Sequence, residues 1–219
     1  MVKAVILDLD NTLYAYEPLN IEARAKVCAD TCKRLGITAG EYDEAYLFGR
    51  NETKRQLGDV GASHNRLLYY QKTLEYLGVN PMPLSLHLYE MYWGIFLHNM
   101  VLYDGARELI DHLHEKEIEV MICTDLTAHI QHRKIEALGL AKDIRYLVTS
   151  EEAGREKPSP EIFQLCLRKL QLPSEEVCCI GDSLVKDVEG ARRIGMQAIL
   201  FHPDEPSAPQ YEAAAKMIL

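Results

Sequence analysis

Residues Val2 to Leu13 constrain this chain more than any other segment. Val2, Val5, Ile6 and Leu7 form a short apolar run that stops abruptly at Asp8 and Asp10, two carboxylates spaced i, i+2. An apolar run without alternation reads as a strand covered on both faces, the habit of parallel sheets in α/β folds. Asp8 and Asp10 then fall at the strand's carboxyl end, where open α/β sheets place their ligands. At ~4 Å and an effective dielectric of ~20, two such anions repel by about 4 kcal/mol, and a cation relieves that repulsion.

Strand-length apolar runs recur after helical spacers, at Lys3 to Leu7, Glu119 to Cys123, Tyr146 to Val148, Val177 to Ile180 and Gln197 to Phe201. Between them, three sets of residues share a helical face: Leu109 with Ile110 and Leu113, Phe163 with Leu167 and Leu170, Leu184 with Val188 and Ala191. Strands alternating with helices predict βαβ units and a doubly wound parallel sheet, an α/β fold. The alternation lapses between about Tyr14 and Met100. That region is rich in Ala, Leu, Tyr, Glu and Arg, carries no clear strand, and is punctuated at Gly36, Gly58 to Gly61 and Gly78 to Pro83. The reading is an α/β core over 1–14 and 101–219, with a helical domain over 15–100 inserted after the first strand.

A formal net charge of −9 with no offsetting basic stretch argues against nucleic acid as a partner. No segment approaches the ~18 apolar residues that span a membrane, and no secretory leader is visible. Six cysteines, none in a C-x-x-C pair, include Cys123, Cys178 and Cys179 inside apolar runs. They read as reduced thiols of a cytoplasmic protein.

Three later strand ends repeat the change from apolar to polar. Thr124 and Asp125 follow the second core run. Lys157 and Pro158 lie in a loop before a helix for which Ser159 suits the N-cap and Pro160 the first position. Gly181 and Asp182 close the fourth core run, with Asp187 five residues further on. These four segments, in this order, resemble the motifs of the haloacid dehalogenase superfamily: Asp8-Leu9-Asp10-Asn11-Thr12, Thr124, Lys157-Pro158, and Gly181-Asp182 through Asp187. The resemblance covers about residues 1–13 and 101–201, and the position of the insert is similar to the family's helical C1 cap. The family often carries Asn where this chain has Asp125, which reads here as a cap for the helix that follows.

The resemblance implies a phosphatase. Asp8 would attack phosphorus and form an aspartyl-phosphate, and Asp10 would act as general acid and then base. Mg²⁺ would be held by the Asp8 and Asp182 carboxylates and the Asp10 carbonyl, with Asp187 orienting the ligands. Thr124 and Lys157 would bind the phosphoryl group, and Lys157 would neutralise its charge. The substrate implied is a small phosphorylated metabolite, whose leaving group would meet Tyr16, His64, Asn65 and Arg66. A sugar phosphomutase, or a metabolite-binding regulator with little turnover, uses the same motifs. Monomer and homodimer are both compatible with the sequence. Tyr89, Tyr92, Trp93, Phe96 and Tyr103 read as the packing face of a helix, and His112, His114, His129 and His132 as exposed helix residues.

Overall fold

The first apolar run forms β1 (Ala4–Leu7), and none of its side chains reaches solvent. The computed structural model describes residues 1–219. Four further strands follow the sequence reading closely: β2 (Glu119–Thr124), β3 (Tyr146–Thr149), β4 (Val177–Gly181) and β5 (Gln197–Leu200). All pairings are parallel, in the order β3-β2-β1-β4-β5. The order reverses between β1 and β4, so Asp8 and Asp182 flank the topological switch point, where such sheets bind ligands.

The chain divides into two compact units, Met1–Tyr16 with Met100–Leu219, and Glu17–Asn99. The second is wholly helical, inserted after β1 and built from α1 (Tyr16–Leu35), α2 (Ala39–Leu57), α3 (Arg66–Tyr76) and α4 (Ser85–His98). Gly36 and Gly58 stop the first two helices with φ of 68° and 67°, a conformation that costs glycine little. Thr38 and Glu41 form a reciprocal capping box at the start of α2. Gly49 lets α2 lie against α3, because a Cβ there would fall 2.6 Å from the Tyr69 carbonyl oxygen. Tyr89, Tyr92, Trp93 and Phe96 are the buried face of α4, as their spacing predicts, whereas Tyr103 lies beyond the end of that helix and is half-buried.

Arg66 is buried within this unit, its guanidinium 5.4 Å from the Trp93 ring centre and 5.5 Å from that of Tyr92. It also donates to the His64 carbonyl at 2.8 Å. Asn65 caps α3 by accepting from the Leu67 amide. Asn65 and Arg66 therefore have structural duties inside the helical unit.

In the α/β unit the remaining helices are α5 (Ala106–Glu115), α6 (Ala128–Ala137), α7 (Ser150–Ala153), α8 (Pro160–Leu170), α9 (Gly190–Arg193) and α10 (Ser207–Ile218). Alternate strand residues Ala4, Ile6, Met121, Cys123 and Cys179 pack with Ile162, Phe163 and Cys166 of α8 and Ala191 of α9. Each large aliphatic or aromatic side chain buried this way contributes roughly 1.5–3 kcal/mol. Leu109, Ile110 and Leu113 are the buried stripe of α5, which contacts β2. The six cysteines are free thiols, and Cys123, Cys166, Cys178 and Cys179 are buried. No helix is long and apolar enough to cross a membrane.

One helical face departs from the sequence reading. Leu184–Glu189 is a π-turn in which the Val188 amide reaches back to the Ser183 carbonyl at 3.2 Å. The wider turn rotates Leu184 away from Val188 and Ala191, leaving it 51% exposed while they are buried.

Candidate active site

Most functional candidates in the α/β unit stand at or just beyond the carboxyl end of a strand. Asp8 follows β1, Thr124 ends β2, Asp182 follows β4, and Lys157 enters from the loop between α7 and α8. Lys157 is the hub. It is buried, and its ammonium donates to Asp8 Oδ1 and Asp187 Oδ1, both at 2.6 Å, and to the Cys123 carbonyl at 3.2 Å. Burial works to lower the lysine's pKa, but the Asp187 and Asp8 carboxylates outweigh it and hold the group charged.

Asp8 is buried as well, and its second oxygen accepts from the Thr12 hydroxyl at 3.2 Å. Burial raises its pKa to about 8 against the pull of Lys157, with Asp187 and Asp10 adding to the rise. Asp182 is pushed up to about 6, again chiefly by burial and then by Asp187. Oxygens of Asp8, Asp182 and Asp187 lie within 4.8 Å of one another. Three carboxylates this close, with two of them raised, form a hard oxygen donor set suited to a divalent cation. Both oxygens of Asp187 are already engaged, one by Lys157 and the other by the Ser183 amide at 3.0 Å.

Gly181 makes room for Asp187. A Cβ at Gly181 would sit 2.3 Å from the Asp187 Cγ, so the reason for glycine is close approach. Gly181→Ala is expected to displace Asp187 from Lys157, costing about 1–3 kcal/mol of stability as overpacking does, and to lower turnover with it. Thermal unfolding and initial rates check this, and a variant matching the wild type in both would refute it.

Asp10 behaves differently. Its carboxylate accepts from Lys134 Nζ at 2.7 and 2.9 Å and from the Tyr14 hydroxyl at 2.5 Å. Thr124 accepts a hydrogen bond from Gln131 Nε2 at 2.7 Å, and Gln131 is fully buried. The Thr124 hydroxyl in turn donates to the Asp125 carbonyl at 3.3 Å. Leu126 adopts a left-handed conformation (φ 97°) uncommon for a branched residue, and its amide is held by the buried Ser150 hydroxyl at 2.9 Å.

The capping role expected of Asp125 is not what the structure holds. Thr127 occupies the N-cap of α6. Asp125 instead accepts from the Lys157 amide at 3.0 Å and from Lys186 Nζ at 2.8 Å, and so ties the Lys157 loop to the π-turn. An extra carboxylate is tolerable here because Lys186 faces it. Ser159 does stand at the N-cap of α8, although its hydroxyl bonds the Glu161 side chain rather than the helix.

Asp8, Asp10, Thr124, Lys157, Asp182 and Asp187 thus converge on one sheet edge, and Tyr16 joins them at 5.6 Å from ring centre to Lys134 Nζ. His64, Asn65 and Arg66 belong to the helical unit. Lys134, Gln131, Tyr14 and Ser150 escaped the sequence reading. A signal for two of them existed: Gln131 and Lys134 interrupt the apolar face that Ile130 and Ile135 mark on α6, where His129 and His132 are exposed as expected.

Residues 2–195 match the family described as haloacid dehalogenase-like hydrolase. The chain belongs to that family. Among curated proteins it is 39% identical to a ribulose-1,5-bisphosphate 5-phosphatase of Halopiger xanaduensis, across 94% of this chain and 87% of the relative. It is 31% identical to a glyceraldehyde 3-phosphate phosphatase of Methanopyrus kandleri, across 91% and 83%. The solved structure of the Bacillus subtilis HAD-hydrolase YfnB bound to magnesium shares the fold, with a TM-score of 0.68 at 22% identity over 94% of this chain and 91% of that one. The protein is therefore an enzyme of the haloacid dehalogenase-like class, and its full-length relatives group it with the phosphoric monoester hydrolases.

Proposed function

We propose that this hydrolase is a Mg²⁺-dependent phosphatase of small phosphorylated metabolites, working through an aspartyl-phosphate on Asp8. The observation that carries this reading is the buried Asp8 carboxylate, held 2.6 Å from Lys157 beside Asp182 and Asp187. Asp8 Oδ attacks phosphorus, the bond to the leaving oxygen breaks, and Asp10 supplies that oxygen with a proton. Asp10 then takes a proton from a water that attacks phosphorus, the Asp8–phosphorus bond breaks, and inorganic phosphate leaves. Lys157 and the Thr124 hydroxyl stabilise the phosphoryl oxygens as charge develops.

Asp8 and Asp182, with the main-chain carbonyl of Asp10, are the residues proposed to hold Mg²⁺. Asp187 orients Lys157 and the Asp182–Ser183 turn. When bound, the cation neutralises charge shared by the carboxylates and the phosphoryl group.

Release of phosphate from a panel that includes ribulose 1,5-bisphosphate and glyceraldehyde 3-phosphate, with and without chelator, tests the activity and its metal. Asp10→Asn is expected to slow hydrolysis of an alkyl phosphate by roughly 10² to 10⁴, the range for a lost acid–base group. The loss should be smaller for p-nitrophenyl phosphate, whose leaving group needs little protonation. Equal losses on both esters would remove Asp10 from this role.

A further inference from the structure

Lys134 has no exposed surface, and a lysine is almost never fully buried unless paired. Its ammonium spans both oxygens of Asp10, at 2.7 and 2.9 Å, from 124 residues away in the chain. The Tyr14 hydroxyl donates to Oδ1 as well, and the rings of Tyr14 and Tyr16 lie 5.8 and 5.6 Å from the ammonium. A donor shared between the two oxygens sets the plane of the carboxylate, and Tyr14 restrains its rotation. Burying an ammonium is costly, and an apolar residue of similar volume would serve stability at least as well. Ile130 and Ile135 do so on the same helix.

We infer that Lys134 is a positioning residue for Asp10, fixing the carboxylate in the orientation from which it delivers a proton to the leaving oxygen. The inference rests on the acid–base reading of Asp10 proposed above. A misplaced catalytic group can cost on the order of 10²-fold in rate, so the consequence is measurable.

The experiment compares Lys134→Met, Asp10→Asn and the double variant on glycerol 3-phosphate and on p-nitrophenyl phosphate, with circular dichroism and melting recorded for each. Lys134→Met is expected to lower kcat on the alkyl ester by about 10- to 100-fold, to leave KM nearly unchanged, and to affect the aryl ester much less. In the Asp10→Asn background it should add no further loss, because Lys134 acts through Asp10. If Lys134→Met does not fold, Lys134→Leu supplies the same comparison, since it too removes the donor toward Asp10 and keeps an apolar side chain.

A loss shared equally by the two esters, or one that multiplies the Asp10→Asn loss, would overturn the inference. A leaving-group dependence for Asp10→Asn but none for the Lys134 variants would overturn it alone. Equal losses for Asp10→Asn itself would overturn the acid–base reading and the inference together.

Discussion

Asp8→Asn is expected to abolish phosphate release while the protein stays folded. Removing the nucleophile of a covalent mechanism costs on the order of 10⁶ in turnover when its partners act as a unit with it, and an amide in place of the Asp8 carboxylate cannot form an aspartyl-phosphate. The fold tolerates the change because Lys157 keeps its 2.6 Å contact with Asp187. A direction for stability also follows. The Asp8 pKa is raised from 3.8 to about 8 by burial, so its contribution is fully present below the unfolded value and is lost as pH rises through 8. Metal-free wild type should therefore lose stability over that window, and Asp8→Asn should lose less.

Mg²⁺ binding runs the other way. Protons would compete with the proposed cation on Asp8 and, near pH 6, on Asp182, so wild-type affinity should climb between about pH 6 and about pH 8. The upper part of that climb should vanish in Asp8→Asn. Calorimetric titrations at several pH values and phosphate-release assays check both statements. Appreciable turnover by Asp8→Asn would sink the covalent mechanism.

The sheet and its motifs were legible for a physical reason. Strands buried on both faces read as unbroken apolar runs, as Val5-Ile6-Leu7 and Val177-Cys178-Cys179-Ile180 do, and each run ends where its polar residues meet the sheet edge. The helical insert was legible from the absence of such runs and from Gly36, Gly58 and Gly78. The second layer of the site was not. Lys134 lies in the segment Gln131-His132-Arg133-Lys134, ordinary for a solvated helix, and only the winding of α6 brings it to Asp10.

Asp125 invited a local explanation, a helix cap, because its real partners are the Lys157 amide and Lys186, 32 and 61 residues away. Leu184 failed for another cause. Helical periodicity assumes 3.6 residues per turn, and the π-turn at Leu184–Glu189 breaks that period just after Asp182 and Ser183. Local pattern located the candidate groups, and long-range pairing determines what holds them.

Lys157→Met carries the largest expected effect on stability. Its ammonium is the cation that touches both Asp8 and Asp187, and the Asp182 carboxylate lies within 4.8 Å of theirs. Removing one partner from a buried pair costs about 3–5 kcal/mol, because the other charge is left uncompensated. Asp187 is left so here, and Asp8 joins it only at the high pH where it ionises. Without Lys157 to pull it down, the Asp8 pKa rises further above its unfolded value, so the variant's deficit grows with pH and shrinks in acid as the carboxylates protonate. A divalent cation that binds only the folded state should restore part of the loss, about 2.7 kcal/mol at a hundred times its Kd.

Activity should not return with it. The phosphoryl oxygens still lack the positive charge Lys157 presents, and losing one such preorganised donor costs roughly 10²- to 10³-fold in kcat. Melting curves between pH 5 and 9 with and without Mg²⁺, paired with rates at saturating metal, separate the two effects. A variant that melts with the wild type at neutral pH in chelator would show that Lys157 does not compensate the carboxylates. One that recovers full turnover in Mg²⁺ would show that the metal alone supplies the charge, leaving Lys157 only the work of keeping three acids together.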